Sequence, residues 1–195
     1  MRSSGLAALV AVSTVLALAA CDRSAEEART PAPATPAVVI PQGFQHEPGF
    51  DAQGFYRTET PVQSGDYRLN LLAIGAPSDF QSWESGARDG VFGPIWMLFD
   101  DVTTPATADN EVGEGGHAVT VRLLPQSYSL SPGRVTFRGK DARLGDVTLD
   151  GVFDTAALAQ ARTAGTSEGR PVVSGSLQIG EARLANVGFG YWAGD

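Results

Sequence analysis

Residues 172–192, VVSGSLQIGEARLANVGFGYW, decide the fold of this chain. On both sides of Gly180-Glu181, over residues 172–179 and 183–192, apolar side chains alternate with small or polar ones. A period of two places the apolar side chains on one face of a half-buried strand. A glycine-containing dipeptide between two such runs is typical of a tight turn. The stretch therefore predicts a β-hairpin.

Similar apolar runs occur throughout the chain before this hairpin. They cover residues 67–74, 95–99, 119–123, 134–138 and 147–153, and residues 38–40 form a candidate first edge strand ended by Pro41. Glycine and proline separate these runs, which is the spacing expected of an all-β domain. The pattern predicts about eight strands.

Two short helices interrupt the strand pattern. In the first, Ser78 and Gln81 have the spacing of a capping box, in which the serine accepts a first-turn amide and the glutamine reaches back. Phe80, Trp83 and Ala87 would then share one helix face.

The second helix covers residues 156–162, with Asp154 or Thr155 as its cap and Leu158 and Ala161 turned inward. We therefore expect residues 43–195 to form one mainly β domain. Its architecture would be a single antiparallel β-sandwich or a small β-barrel, with one or two short helices covering the core.

The N-terminus has a different composition. Arg2 precedes an apolar run over residues 5–18, of signal-peptide length. The run closes on Leu18-Ala19-Ala20-Cys21, which contains the single cysteine of the chain and resembles a bacterial lipobox. This resemblance identifies residues 1–20 as a lipoprotein signal peptide and implies cleavage before Cys21, whose thiol would carry lipid. The alternative is an ordinary secretory signal with an incidental cysteine.

Residues 21–42 are rich in proline and alanine, with prolines at 31, 33, 36 and 41. Such a segment buries too little apolar surface to fold, so we expect an extended tether between Cys21 and the domain. Asp22 follows the cysteine. By resemblance to enterobacterial lipoproteins, this implies retention in the inner membrane, facing the periplasm, in preference to the outer membrane.

The charge balance restricts the partners. Fourteen Lys and Arg against 22 Asp and Glu give a net charge of −8, which opposes binding to nucleic acid and to anionic headgroups. We therefore expect membrane attachment through acyl chains on Cys21. The remaining partners to expect are an envelope protein or an apolar ligand.

Metal and cofactor chemistry has little support in the sequence. The two histidines, His46 and His117, are 71 positions apart, and we expect each in a loop without a metal. The segment 100–114 is rich in carboxylates but lacks the regular Asp-x-Asp-x-Asp-Gly spacing of a calcium loop, so we expect a solvated loop. No cofactor is predicted.

Catalytic motifs have little support in the sequence. It contains no Ser-x-x-Lys pair and no phosphate-binding glycine loop. Two carboxylates from distant strands could still meet in a cleft. The leading interpretation is a non-enzymatic binding or structural module displayed in the periplasm, and the alternative is a carboxylate-based periplasmic hydrolase.

Aromatic residues give the one indication of a binding surface. Phe55 and Tyr56 lie in a cluster before the first confident strand, and Tyr191 and Trp192 lie in a cluster near the C-terminus. Such rings can stack on ligands. The alternative, which we favour, is that they pack the two ends of the domain onto its core.

Overall fold

The structure is a computed structural model that describes residues 41–88, 90–107 and 116–194. The predicted signal peptide, Cys21, most of the tether and the edge strand at residues 38–40 lie outside these residues. The described part is mainly β, as expected, with two helices. Its strands are β1 (Phe44–His46), β2 (Gly54–Thr58), β3 (Gln63–Ser64), β4 (Tyr67–Ile74), β5 (Ile95–Asp101), β6 (Thr120–Leu123), β7 (Ser127–Ser131), β8 (Arg134–Asp141), β9 (Gly145–Phe153), β10 (Thr166–Ile179) and β11 (Ala182–Trp192). The helices are α1 (Pro77–Glu84) and α2 (Thr155–Ala164).

All eleven described strands belong to one sheet, in the order β1-β7-β8-β9-β10-β11-β2-β4-β5-β6, with β3 paired to β4. The hairpin at Gly180-Glu181 is confirmed, because Ile179 is paired with Ala182 across the turn. The sheet curls. A Cβ built on Gly139 of β8 would lie 2.8 Å from Cγ of Leu123 in β6, which is at one end of the strand order.

The expected single antiparallel β-sandwich is not confirmed, because all described strands lie in one curled sheet and one edge of that sheet is parallel. β1 pairs with β7 in parallel, with Phe44 opposite Tyr128, whereas the other ladders are antiparallel. Antiparallel pairing is enforced where a tight turn joins two strands. β1 and β7 are separated by 80 residues, so no tight turn fixes their relative direction. The result is a mixed, curled sheet.

The first helix begins earlier than the sequence predicts. Its N-cap is Ala76, with Pro77 in the first turn, and the Asp79 carboxylate accepts the Ala76 N–H at 2.8 Å. The predicted cap, Ser78, is therefore inside the helix. Proline suits the first helical position because its missing N–H would have no intrahelical partner there. Phe80 and Trp83 are buried, as predicted.

The helix also ends earlier than predicted. It stops at Glu84, with Ser85 as the C-cap, so Ala87 lies beyond it and is exposed. The second helix agrees with the sequence more closely. Asp154 is its N-cap, accepting the Ala157 N–H at 2.9 Å, and Leu158 and Ala161 are buried.

The core lies inside the curl of the sheet. Its largest fully buried side chains include Tyr56, Phe80, Phe99, Phe137 and Phe189. α2 packs against β10 and β11, and α1 lies near β1. Among the residues that the structure describes, neither helix is long and apolar enough to cross a bilayer.

Candidate functional site

A cleft of about 640 Å³ opens where several chain segments end together. Its walls come from the beginning of β2, the end of β4, one face of α1, Ala87, residues 90–94 and the residues around Tyr191. Five aromatic side chains line it: Phe55, Trp83, Phe92, Trp96 and Tyr191. We call this space the aromatic cleft.

One wall of the aromatic cleft joins the two ends of the domain. β2 pairs with β11, which sets Phe55 opposite Trp192 and Tyr56 opposite Tyr191. The Phe55 and Trp192 ring centroids are 5.6 Å apart, and the Arg57 guanidinium lies 4.6 Å from the Trp192 ring centroid. Aromatic and cation–π contacts of this length are attractive. They hold Phe55 in place at the cleft wall.

The predicted binding aromatics therefore separate into two kinds. Phe55 and Tyr191 line the aromatic cleft, whereas Tyr56 is 0% exposed and Trp192 packs behind Phe55. The Tyr56 hydroxyl donates to the Ala52 carbonyl at 2.6 Å, and burial raises the pKa of Tyr56, so its hydroxyl stays protonated. These aromatic residues pack the two ends of the domain together, which is the interpretation that we favoured. Phe55 and Tyr191 also line the cleft.

The cleft wall continues along the same face of the sheet, where Ala73 separates Phe55 from Trp96. Neither Trp96 nor Phe92 was predicted as a binding residue. Phe92 and Trp96 have ring centroids 5.5 Å apart. The Arg122 guanidinium of β6 lies 4.1 Å from the Phe92 centroid and 5.0 Å from that of Trp96. Phe92 is nevertheless 57% exposed. The available signal was Trp96 itself, which points away from its core-facing neighbours Ile95 and Met97.

Helix α1 supplies the polar groups of the cleft through Asp79 and Ser82, next to Trp83. The Asp79 carboxylate is already engaged by the Ala76 N–H. A Cβ on Gly75 would lie 2.5 Å from the Asp79 carboxylate, so Gly75 leaves the space that this capping contact needs. Trp83 is 6% exposed, and its indole Nε1 has no hydrogen-bond partner among the described residues.

Arg162 of α2 brings a cation to the cleft, and Asp51 neutralises it. The guanidinium donates to the Asp51 carboxylate at 2.6 Å and to the Asp51 carbonyl oxygen. Burial tends to raise the pKa of Asp51. The Gln53 N–H and Arg162 together outweigh that effect and hold this pKa below its ordinary value. The cleft thus carries one paired cation and one engaged carboxylate, Asp79.

A partly buried polar cluster lies behind the same helix. His46 Nδ1 is 2.9 Å from both carboxylate oxygens of Glu84, and the Tyr128 hydroxyl donates to Glu84 Oε1 at 3.0 Å. Burial first, and then the Glu84 carboxylate, raise the pKa of Tyr128, which keeps the hydroxyl protonated as a donor. The expected loop position of His46 is wrong, because His46 ends β1 and its side chain is 4% exposed.

The acidic segment 100–114, which we expected to be a solvated loop, begins inside a strand. Asp100 lies in β5, is 0% exposed, and accepts from Asn70 at 3.0 Å and Arg68 at 3.4 Å. It belongs to a strand because its neighbours Met97 and Phe99 alternate into the core. Residues 108–115 lie outside the described residues.

His117 lies in a short bridge with Ala106, and its Nδ1 is 2.7 Å from the Thr104 carbonyl oxygen. Within residues 41–88, 90–107 and 116–194, no three His, Cys, Asp or Glu side chains group as a metal site.

Comparisons with protein-family models, curated proteins and solved structures returned no match for this chain.

Proposed function

We propose that this chain is a cell-envelope lipoprotein whose β domain binds a neutral, apolar small molecule in the aromatic cleft without transforming it. The observation that carries the proposal is the convergence of five aromatic side chains on one cleft of about 640 Å³. Small-molecule sites are typically concave, lined by apolar and aromatic side chains, and about 300–1,000 Å³ in volume.

The charges of the cleft favour a neutral ligand. Arg162 is paired with Asp51, and Asp79 accepts the Ala76 N–H. A charged ligand would have to compete with these contacts, whereas an apolar ring needs only the faces of Phe55, Phe92 and their neighbours. In this proposal the ligand rests at one end of the sheet, where Phe55, Ala73 and Trp96 lie side by side on the face opposite to the core-facing Tyr56, Leu72 and Met97.

The hydrolase alternative requires two carboxylates that face each other across the bound substrate. Asp79 is the one carboxylate among the described residues that line the aromatic cleft. It is used to hold the start of α1. We therefore assign Asp79 a structural role and keep the binding function as the proposal.

The sequence supports the proposed location. The lipobox resemblance at Leu18-Ala19-Ala20-Cys21 would place acyl chains on Cys21. Residues 22–42 would then suspend the domain from the membrane, and Asp22 favours the inner membrane with the domain in the periplasm. An apolar ligand suits this position, because such molecules partition into and leave membranes.

Binding can be tested with N-phenyl-1-naphthylamine, a neutral apolar dye that fluoresces in dry surroundings. We expect saturable binding of the dye to the full chain. Ser82→Phe should lower the affinity for the dye at least tenfold, because it places a ring inside the cleft from an exposed helix position. Phe92→Ser removes an exposed wall ring and should weaken binding about fivefold.

The matched control is Val152→Ser. Val152 is 59% exposed on β9 and is not part of the cleft lining, so this variant should bind the dye like the original chain. The control also measures dye taken up by other surfaces. Unchanged dye affinity in both Ser82→Phe and Phe92→Ser would refute the cleft as the binding site.

A further inference from the structure

Trp83 has a polar atom that the fold leaves unused. Its indole Nε1 is buried and has no hydrogen-bond partner among the described residues. An indole N–H can only donate. Leaving a buried donor unpaired costs the free energy of its lost hydration, so native structures seldom contain one without a reason.

The neighbours of the indole do not supply an acceptor. The Phe44 ring meets the Trp83 ring edge-on at 6.1 Å between centroids, and the Arg88 guanidinium, which is a donor, lies 6.0 Å from the Trp83 ring centroid. Nearby on α1, the Asp79 carboxylate is engaged by the Ala76 N–H. The unpaired donor therefore belongs to a side chain that lines the aromatic cleft.

We infer that the ligand of the aromatic cleft carries a hydrogen-bond acceptor, such as a carbonyl or ether oxygen, that pairs with Trp83 Nε1. The inference rests on the proposed binding function and narrows it. The ligand is an amphipathic neutral molecule, with an apolar ring body between the aromatic walls and one oxygen at the α1 side. A pure hydrocarbon would leave the indole N–H unpaired in the complex.

Two probes of nearly equal size isolate this oxygen. 2-Acetylnaphthalene carries a carbonyl where 2-ethylnaphthalene carries a methylene, and both can be measured by displacement of N-phenyl-1-naphthylamine from the full chain. We expect the acetyl probe to bind about two- to tenfold more tightly, the ratio that one neutral hydrogen bond gives. Trp83→Phe, which retains an aromatic ring without the N–H, should abolish this preference, so that the two probes bind the variant with equal affinity.

The indole N–H signals provide a readout that does not depend on the variant's folding. The chain has three tryptophans, Trp83, Trp96 and Trp192, so a ¹⁵N–¹H spectrum has three indole signals to assign. The Trp83 proton signal should move downfield with the acetyl probe and not with the ethyl probe. Trp192, which packs behind Phe55, is the internal control.

Equal affinities for the two probes, or equal Trp83 shifts with both, would overturn the inference while leaving the cleft as an apolar site. An unchanged Trp83 signal with bound acetyl probe would also overturn it, since the probe carbonyl would then not accept from the indole N–H. If neither probe displaces the dye in a manner sensitive to Ser82→Phe, the proposed function itself fails, and the inference fails with it.

Discussion

His46 Nδ1 lies 2.9 Å from both carboxylate oxygens of Glu84, and this contact ties the end of β1 to the last turn of α1. The His46 ring also stacks on Phe80, with centroids 5.1 Å apart. α1 is thus held from behind by Glu84 and Phe80, while Ser82 and Trp83 line the aromatic cleft. The polar cluster and the cleft therefore share one helix.

Removing either partner of this contact should destabilise the domain. Glu84→Gln keeps the shape of the side chain but removes the negative charge that His46 and Tyr128 contact. It should lower the free energy of unfolding by about 1–3 kcal/mol. His46→Ala also leaves a cavity beside Phe80 and should cost about 2–4 kcal/mol. Urea unfolding measures both values.

The control is Glu47→Gln, at the exposed position next to His46, which should change stability by less than about 0.5 kcal/mol. Because α1 carries part of the cleft, Glu84→Gln should also weaken dye binding under conditions where the variant is folded. Stability equal to that of Glu47→Gln would contradict a structural role for the cluster.

The Asp51–Arg162 contact predicts a small loss of stability in acid. The folded-state pKa of Asp51 lies below the ordinary value of 3.8, so the fold favours the ionised form. This stabilisation is complete above about pH 4 and is lost as the pH falls through the folded-state pKa. Both side chains are about one-third or more exposed, so we expect it to be less than about 1 kcal/mol.

Asp51→Asn should therefore lower stability slightly at pH 7 and flatten its decline below pH 4. Asp66→Asn, at an exposed position, is the control and should keep the original slope. The measurement is urea unfolding at a series of pH values. A decline in Asp51→Asn as steep as in the control would show that the contact does not contribute.

The strands that the sequence predicts are those with apolar alternation over five or more residues. Seven of these lie in the described residues and became β4, β5, β6, β8, β9, β10 and β11. The missed strands differ: β1 and β3 have only three and two residues, and β2 lies in a glycine-rich segment. β7 is the exception, because Tyr128 and Leu130 do alternate with serines.

The sequence predicts only part of the cleft, because its walls are assembled from residues on different strands. Phe55 and Tyr191 were visible because aromatic clusters stand out in the sequence. The sequence shows that Trp96 points away from the core, but not that it meets Phe92 and Arg122. Arg122 is about thirty positions away and reaches the two rings through the pairing of β5 with β6. Contacts between strands depend on the strand order, and the sequence does not state that order.

The lipid anchor is a prediction about Cys21, which lies outside the described residues. If the lipobox interpretation is correct, Cys21→Ser should abolish incorporation of radiolabelled palmitate and release the protein into the soluble fraction, because the acyl chains supply the membrane affinity. Palmitate labelling that persists in Cys21→Ser would refute it. Density-gradient separation of the two membranes tests the location, and Asp22→Ser should move the protein to the outer membrane if the retention rule applies.

The last prediction concerns Gly54, which forms part of the cleft wall. Its φ is 150°, and a Cβ there would lie 2.3 Å from Cε2 of Tyr191. The Tyr191 ring cannot easily move away, because its hydroxyl donates to the Gln53 carbonyl at 3.2 Å and its ring packs edge-on against Tyr56. Gly54→Ala should therefore cost about 2–4 kcal/mol in urea unfolding.

Gly49→Ala is the matched control for this substitution. A Cβ at Gly49 would have no heavy atom within 4 Å, so this variant should change stability by less than about 0.5 kcal/mol. Gly54→Ala should also weaken dye binding, because Tyr191, when displaced, alters the wall that it forms with Phe55. If Gly54→Ala matches Gly49→Ala in stability and in dye affinity, the close approach of Tyr191 to the β2 backbone does not define the cleft, and the wall must be held by the Phe55–Trp192 contact alone.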